Sequence, residues 1–334
     1  MLRYLTALAL ISLTFSACRD DFSLGAPPKD IPIIYAYLDA NASENFVRVE
    51  RAFLDNDGDA NDVARIADSL YYGPEQATVS ITSNGNTVIL ERVNGDDLGL
   101  EREPGLFAES PNILYRLSSD DLNLVEGQEA IVTVSTDQGT EATGSTMMLQ
   151  PLEIRTPDDD DSINPENFNQ LTTLRIDVNG EEARVFDIRL FHNLREFATD
   201  GSGEVTSVRL EQIVETQALR PTDNNILVFR IDNESIWRFL GNSLDPDLPV
   251  TRLFDGFDVE VTAAGQEVED LIDLSNANSG ITSSQAPPVF TNVEGGLGVV
   301  TSRSSAIRFD VPLSQSSFTE LRDGIYTGNL NFQN

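Results

Sequence analysis

Apolar and polar residues alternate with a period of two along most of this chain. That is the pattern of strands, whose successive side chains point to opposite faces of a sheet. Residues 46–53 set Val47, Val49, Arg51 and Phe53 against Phe46, Arg48, Glu50 and Ala52. In residues 33–38, Ile33, Tyr35 and Tyr37 alternate with Ile34, Ala36 and Leu38, so this strand is expected to be buried on both faces. Val79 and Ile81 alternate with Thr and Ser, and Asn84-Gly85-Asn86 turns the chain into a second strand over 87–93, a hairpin signal. Further strands are predicted over 113–117, 130–135 and 141–149. Beyond an interruption they continue over 171–178, 183–191, 204–214, 226–231, 257–263, 307–311 and 325–331. Helix signals are few. Asn233-Glu234-Ser235 opens a short helix through Trp237 and Leu240 that Gly241 ends, and 267–274 makes one or two turns.

The interruption, 151–168, holds Pro157, Asp158 to Asp161 and Pro165 with few apolar residues, and reads as a domain boundary. A chain of 334 residues is long for one core, which also points to two domains. The expected fold class is mostly β. An immunoglobulin-like sandwich over 31–150 is followed by an acidic linker over 151–168. A second sandwich-like domain with one or two short helices then covers 169–334.

The beginning of the chain carries a different pattern. Arg3 is followed by an apolar run from Leu5 to Phe15, then by Ser16, Ala17 and Cys18. This is the order of a secretory signal, expected over 1–17, and its run is too short to span a bilayer. Cys18 is the only cysteine, so it has no intramolecular disulfide partner. Phe15-Ser16-Ala17-Cys18 resembles a bacterial lipobox, with Phe15 where an aliphatic residue is usual, and the resemblance implies a lipid on Cys18. Arg19, Asp20 and Asp21 resemble the export signal that sends Bacteroidota lipoproteins to the outer face of the outer membrane. Residues 18–30, with Pro27-Pro28, are expected to form an extended tether.

Charge narrows the partners. Asp and Glu number 55 against 22 Lys and Arg, for a formal charge of −33. Such a field repels nucleic-acid phosphates, so nucleic-acid binding is not expected. Lys29 is the only lysine among the 22 basic residues. Two readings account for this bias: a surface adapted to strong salt, where screening relieves self-repulsion, or a GC-rich genome that favours arginine codons. Stabilisation by molar NaCl in a melting curve distinguishes the first.

Three stretches together resemble one family. They are Ile33-Ile34-Tyr35-Ala36-Tyr37-Leu38-Asp39 with the strand from Asn45 to Leu54, Ser69-Leu70-Tyr71-Tyr72, and Phe290-Thr291-Asn292-Val293-Glu294-Gly295-Gly296-Leu297-Gly298-Val299. With the lipobox in front, the chain resembles domain-of-unknown-function family 4249, a group of Bacteroidota outer-membrane lipoproteins, over essentially its whole mature length. The Asn-x-Glu-Gly-Gly-x-Gly segment is the most specific part; Val300 departs from the usual Phe. The resemblance implies a place beside TonB-dependent outer-membrane receptors and carries over no catalytic residue.

Candidate chemistry is sparse. Gly295, Gly296 and Gly298 lie in a β- and Pro-rich neighbourhood, unlike a dinucleotide loop, and are expected to be structural. His192 is the only histidine, which leaves zinc sites and Ser-His-Asp triads poorly supported, and an ordinary strand or edge role is expected for it. Asp55, Asp57 and Asp59 offer alternate oxygen donors, but Ala60 and Ile66 stand where an EF-hand needs Gly and Glu. Asp158, Asp159, Asp160 and Asp161 form a second acidic cluster, and both are candidate Ca²⁺ ligands whose other reading is a solvated loop. The functional expectation is a non-catalytic surface lipoprotein, accessory to a TonB-dependent transporter. The alternative is an adhesin or envelope scaffold. A carboxylate-based hydrolase ranks third.

Overall fold

The computed structural model describes residues 30–52, 60–221, 224–278 and 289–333. Cys18, Arg19, Asp20, Asp21, Asp55, Asp57 and Asp59 lie outside the described residues. The first strands are β1 (Pro32–Asp39), β2 (Glu44–Arg51), β3 (Ala77–Ser83), β4 (Asn86–Ile89), β5 (Glu91–Asn94), β6 (Ile113–Ser118), β7 (Glu129–Thr136) and β8 (Glu141–Met147). They are followed by β9 (Leu152–Thr156), β10 (Leu171–Val178), β11 (Val185–Ala198), β12 (Val205–Leu219) and β13 (Ile226–Asp232). The last are β14 (Val250–Ala264), β15 (Val293–Glu294), β16 (Leu297–Val311) and β17 (Phe332–Gln333). The fold is mostly β, as the alternation predicts.

One long sheet runs β12-β11-β14-β16-β1-β2-β6-β5, with β17 added beside β14. A five-stranded sheet, β15-β8-β7-β3-β4, and a three-stranded sheet, β13-β10-β9, hold the other described strands. The long sheet is a shared wall. Ile34, Ala36, Leu38, Val47 and Val49 pack with Val79, Ile81, Val132 and Val134 of the five-stranded sheet in one core, giving the expected N-terminal sandwich. Phe186, Ile188, Leu190, Val259 and Val261 pack with Leu174, Ile176 and Trp237 in a second core. Burying these branched side chains between paired strands supplies the main driving force of each half.

Several expectations are corrected. The stretch 151–168 is no plain linker: β9 pairs with β10, and Leu152, Ile154 and Ile163 are buried in the second core. The two halves are not independent either, because β16 pairs in parallel with β1 while its far end pairs with β14. Val293 and Val300 accordingly belong to the first core. The strand expected over 87–93 is two strands. Leu90, 5% exposed, marks the step at which the chain leaves the five-stranded sheet for the long one. Gly241 lies inside the helix Asn233–Ser243 and does not end it. The final strand is confined to Phe332–Gln333 and does not occupy 325–331. The helix over 267–274 extends to Gln266–Asn278.

The glycine segment is the joint between the two halves. Gly295 has φ +76° and Gly298 φ +110°, conformations costly for a residue with a β-carbon. A β-carbon on Gly298 would lie 1.9 Å from the Ile34 carbonyl oxygen, and one on Gly296 2.5 Å from that of Pro32. Asn292 closes the joint with its side chain. Its Oδ1 accepts from the Val300 amide at 2.9 Å, and its Nδ2 donates to the carbonyls of Val300 at 2.7 Å and Ser145 at 3.1 Å. At Gly296 and Gly298 the backbone of the joint approaches β1 more closely than a side chain allows.

Candidate binding groove on the outer sheet face

Strand alternation makes the site. The even residues of β1 enter the first core, so Ile33, Tyr35 and Tyr37 face the other way. On β2 Val47 and Val49 enter the core, so Phe46, Arg48 and Glu50 share that outer face. Antiparallel register sets Ile33 opposite Glu50 and Tyr35 opposite Arg48. Tyr35 is 43% exposed and Tyr37 48%, which overturns the expectation that β1 is buried on both faces. A solvent-facing strand that carries two tyrosines two residues apart is a binding surface in form, since each ring combines apolar area with a polar tip.

The chain between β5 and β6 folds back over this face and gives the groove a wall. Leu100 is held by its amide to the Gly95 carbonyl at 2.9 Å, and Ala108 by its amide to the Ala64 carbonyl at 2.9 Å. Asn112 Nδ2 donates to the Leu100 carbonyl at 2.6 Å. From this segment Arg102 reaches the floor, where Nη1 donates to Glu50 Oε1 at 2.7 Å and to the Tyr71 hydroxyl at 3.0 Å. Its guanidinium also lies 5.0 Å from the centre of the Phe107 ring, within cation–π range. Only 7% of the Glu50 side chain and 12% of the Arg102 side chain are exposed. The resulting cavity has a volume of about 650 Å³ and is mainly apolar, with Leu70 and Leu114 completing its lining.

The electrostatics follow from burial. Burial alone would lower the Arg102 pKa, but the Glu50 carboxylate outweighs it and holds the value above normal. The Tyr35 hydroxyl is pushed up by burial first and by Glu50 second, and Tyr37 is pushed up by burial. Both tyrosines therefore stay neutral at neutral pH. Arg48 donates through Nη2 to Asn112 Oδ1 at 2.9 Å, while its Nε is shielded from water without a partner among the described residues. Arg51 donates to the main-chain carbonyls of Ser69, at 3.2 Å, and Asp68.

None of these groove residues is a candidate from the sequence as a site, although the Tyr35–Tyr37 pair and the Arg48–Glu50 alternation were visible signals. What was invisible is the wall, because Arg102 and Phe107 come from a segment without periodic pattern. Of the acidic candidates, only Asp158 to Asp161 fall among the described residues. The Asp158 amide donates to Asp161 Oδ2 at 3.0 Å and the Asp160 amide to Asp158 Oδ1 at 2.9 Å, while Asp159 pairs with Arg308. Among the described residues no three His, Cys, Asp or Glu side chains are grouped to hold a metal ion. No described helix is long and apolar enough to cross a membrane.

His192 lies on β11, between β12 and β14, and is fully buried, so it occupies a central and not an edge strand. Its ring sits 4.9 Å from that of Phe239 and 5.1 Å from that of Phe257. Its Nε2 is 2.8 Å from Gln212 Oε1. Burial lowers its pKa from 6.5 to about 4, against a smaller opposing effect of the Gln212 hydrogen bond. Between those values the unfolded chain holds a proton that the folded chain refuses. Stability from this group is therefore complete above pH 6.5 and falls as the pH drops towards 4, by about 3 kcal/mol. Urea unfolding of wild type and His192→Gln at pH 7 and pH 4.5 checks this. The variant should lose less stability on acidification, and an identical loss would contradict it.

No family model matches the chain, and no characterised protein matches it by sequence. Solved structures similar to it include the C-terminal globular domain of an oligosaccharyltransferase from Pyrococcus abyssi, at 9% identity and a TM-score of 0.26. That alignment covers 70% of this chain but 46% of the other, so this chain spans less than half of that one. A bacterial ice-binding adhesin aligns at 11% identity and a TM-score of 0.20, over 86% of this chain and 67% of the other. The FN1–FN3 domains of chicken CNTN1 align at 11% identity and a TM-score of 0.20, over 72% and 63%. Scores this low carry no weight for function.

Proposed function

We propose that the protein is a non-catalytic ligand-binding module, held at the outer membrane by a lipid on Cys18 and accessory to a TonB-dependent transporter. The observation that carries the binding role is the preformed groove. Its floor is sheet, its wall is tied to that floor by a buried ion pair, and its Tyr35 and Tyr37 rings stand about half exposed. The non-catalytic reading is supported by the lining itself. Among the described lining residues Glu50 is the only carboxylate, and Arg102 already occupies it, whereas glycosidic acid–base chemistry uses two carboxylates. The anchor and the transporter rest on the lipobox and the family resemblance.

Two measurements test the reading. Mass spectrometry of the mature native protein should find an acylated cysteine 18 as its first residue; a free thiol there would remove the anchor. Tagged protein recovered from its own outer membrane should bring a TonB-dependent receptor with it. A Tyr35→Ser/Tyr37→Ser strain should keep that receptor but lose uptake. Recovery without any such receptor, or a strain defective in attachment with normal uptake, would replace the transporter role with adhesion.

A further inference from the structure

The groove's charges point to its ligand class, an inference that rests on the binding role above. Among the described residues three arginines, Arg48, Arg51 and Arg102, line it against one glutamate. Arg102 is neutralised by Glu50. Arg48 and Arg51 are hydrogen-bonded to neutral oxygens and form no ion pair with any described residue. In a protein with a formal charge of −33, the Arg48 guanidinium, with no carboxylate partner among the described residues, gives an apolar recess a local reversal of sign. A partly desolvated cation without an anion is unfavourable, and an incoming anion relieves that cost. The planar guanidinium fork matches a carboxylate's two oxygens. The surrounding field disfavours ligands with several negative charges, which sets phosphates behind a single carboxylate.

The apolar part of the ligand is equally specified. Tyr35, Tyr37, Phe46 and Phe107 all line the recess, and rings of this kind favour offset or edge contacts with another ring. A volume of about 650 Å³ is the size of a small-molecule site and not of an extended docking surface. We propose that the groove binds a small aromatic monocarboxylate, with its ring among Tyr35, Tyr37 and Phe107 and its carboxylate on the Arg48 guanidinium.

Calorimetric titration of the full mature protein in detergent, against an empty-micelle control, tests this with 2-naphthylacetate and its neutral amide. The acid should bind at least ~10-fold more tightly than the amide, a difference expected when one charged hydrogen-bonded partner is lost. Arg48→Gln should bring the acid down to the amide's affinity. Tyr35→Ser should weaken both ligands by a similar factor, and it guards against misfolding of the arginine variant because it leaves every arginine in place. Equal binding of acid and amide to wild type would overturn the carboxylate class while leaving the groove a binding site. Binding of neither would remove both. Tighter binding of an acetylated peptide ending in Phe than of the free acid would overturn the small-molecule assignment in favour of a polypeptide terminus.

Discussion

Gly298→Ala is expected to cost about 4 kcal/mol or more, at the far end of single-substitution effects, and to leave little folded protein. The new methyl carbon would stand 1.9 Å from the Ile34 carbonyl oxygen and 2.7 Å from the Ile34 amide nitrogen. Both are main-chain atoms, so no side-chain rotation relieves the contact. Relief would require β16 to move away from β1, and the parallel register from Ile33–Leu297 to Asp39–Arg303 would open with it. A φ of +110° adds backbone strain of its own. Gly139→Ala is the control: it also has positive φ, +79°, but nothing lies within 4 Å of its added carbon. It should cost about 1–2 kcal/mol. Denaturant unfolding of the two variants measures the difference, and equal losses would mean that the contact with Ile34 is unimportant.

Glu50→Gln is expected to destabilise the protein by about 3 kcal/mol, the scale for removing one partner of a buried ion pair. The loss arises because Arg102 stays in place with its charge uncompensated, next to Tyr71 and Phe107. The same substitution should loosen the groove wall. Replacing both partners by leucine should recover much of the stability, since no buried charge then remains, but it should not restore ligand binding. Unfolding midpoints for the single and double variants, read alongside titration with 2-naphthylacetate, separate the two effects. A double variant no more stable than Glu50→Gln alone would contradict this account.

Strand periodicity made much of the fold legible. The alternation of β2, the Asn84-Gly85 turn, and the paired runs that become β3, β7 and β8 all stand in the sequence, because a half-buried strand must alternate. The β1 strand misled for a physical reason. Tyr is apolar enough to read as buried, yet its hydroxyl allows it to stand half exposed, so the outer face was mistaken for core. The same ambiguity hid the groove. The stretch 151–168 misled differently: prolines and aspartates signalled a linker, while the short alternation Leu152, Ile154 inside it was enough for a strand.

By itself the sequence determined the β class and the sparse chemistry of a chain with one histidine and one cysteine, and it offered the candidate membrane address at Cys18. Those properties are local, set by composition and by periods of a few residues. Only the tertiary structure decided that β16 ties both halves into one sheet, that the motif glycines are its joint, and that Arg102 crosses to Glu50 over 52 residues of chain to wall a groove. Each of these is a long-range contact chosen by register and packing, and register depends on the whole sheet and not on any segment of it.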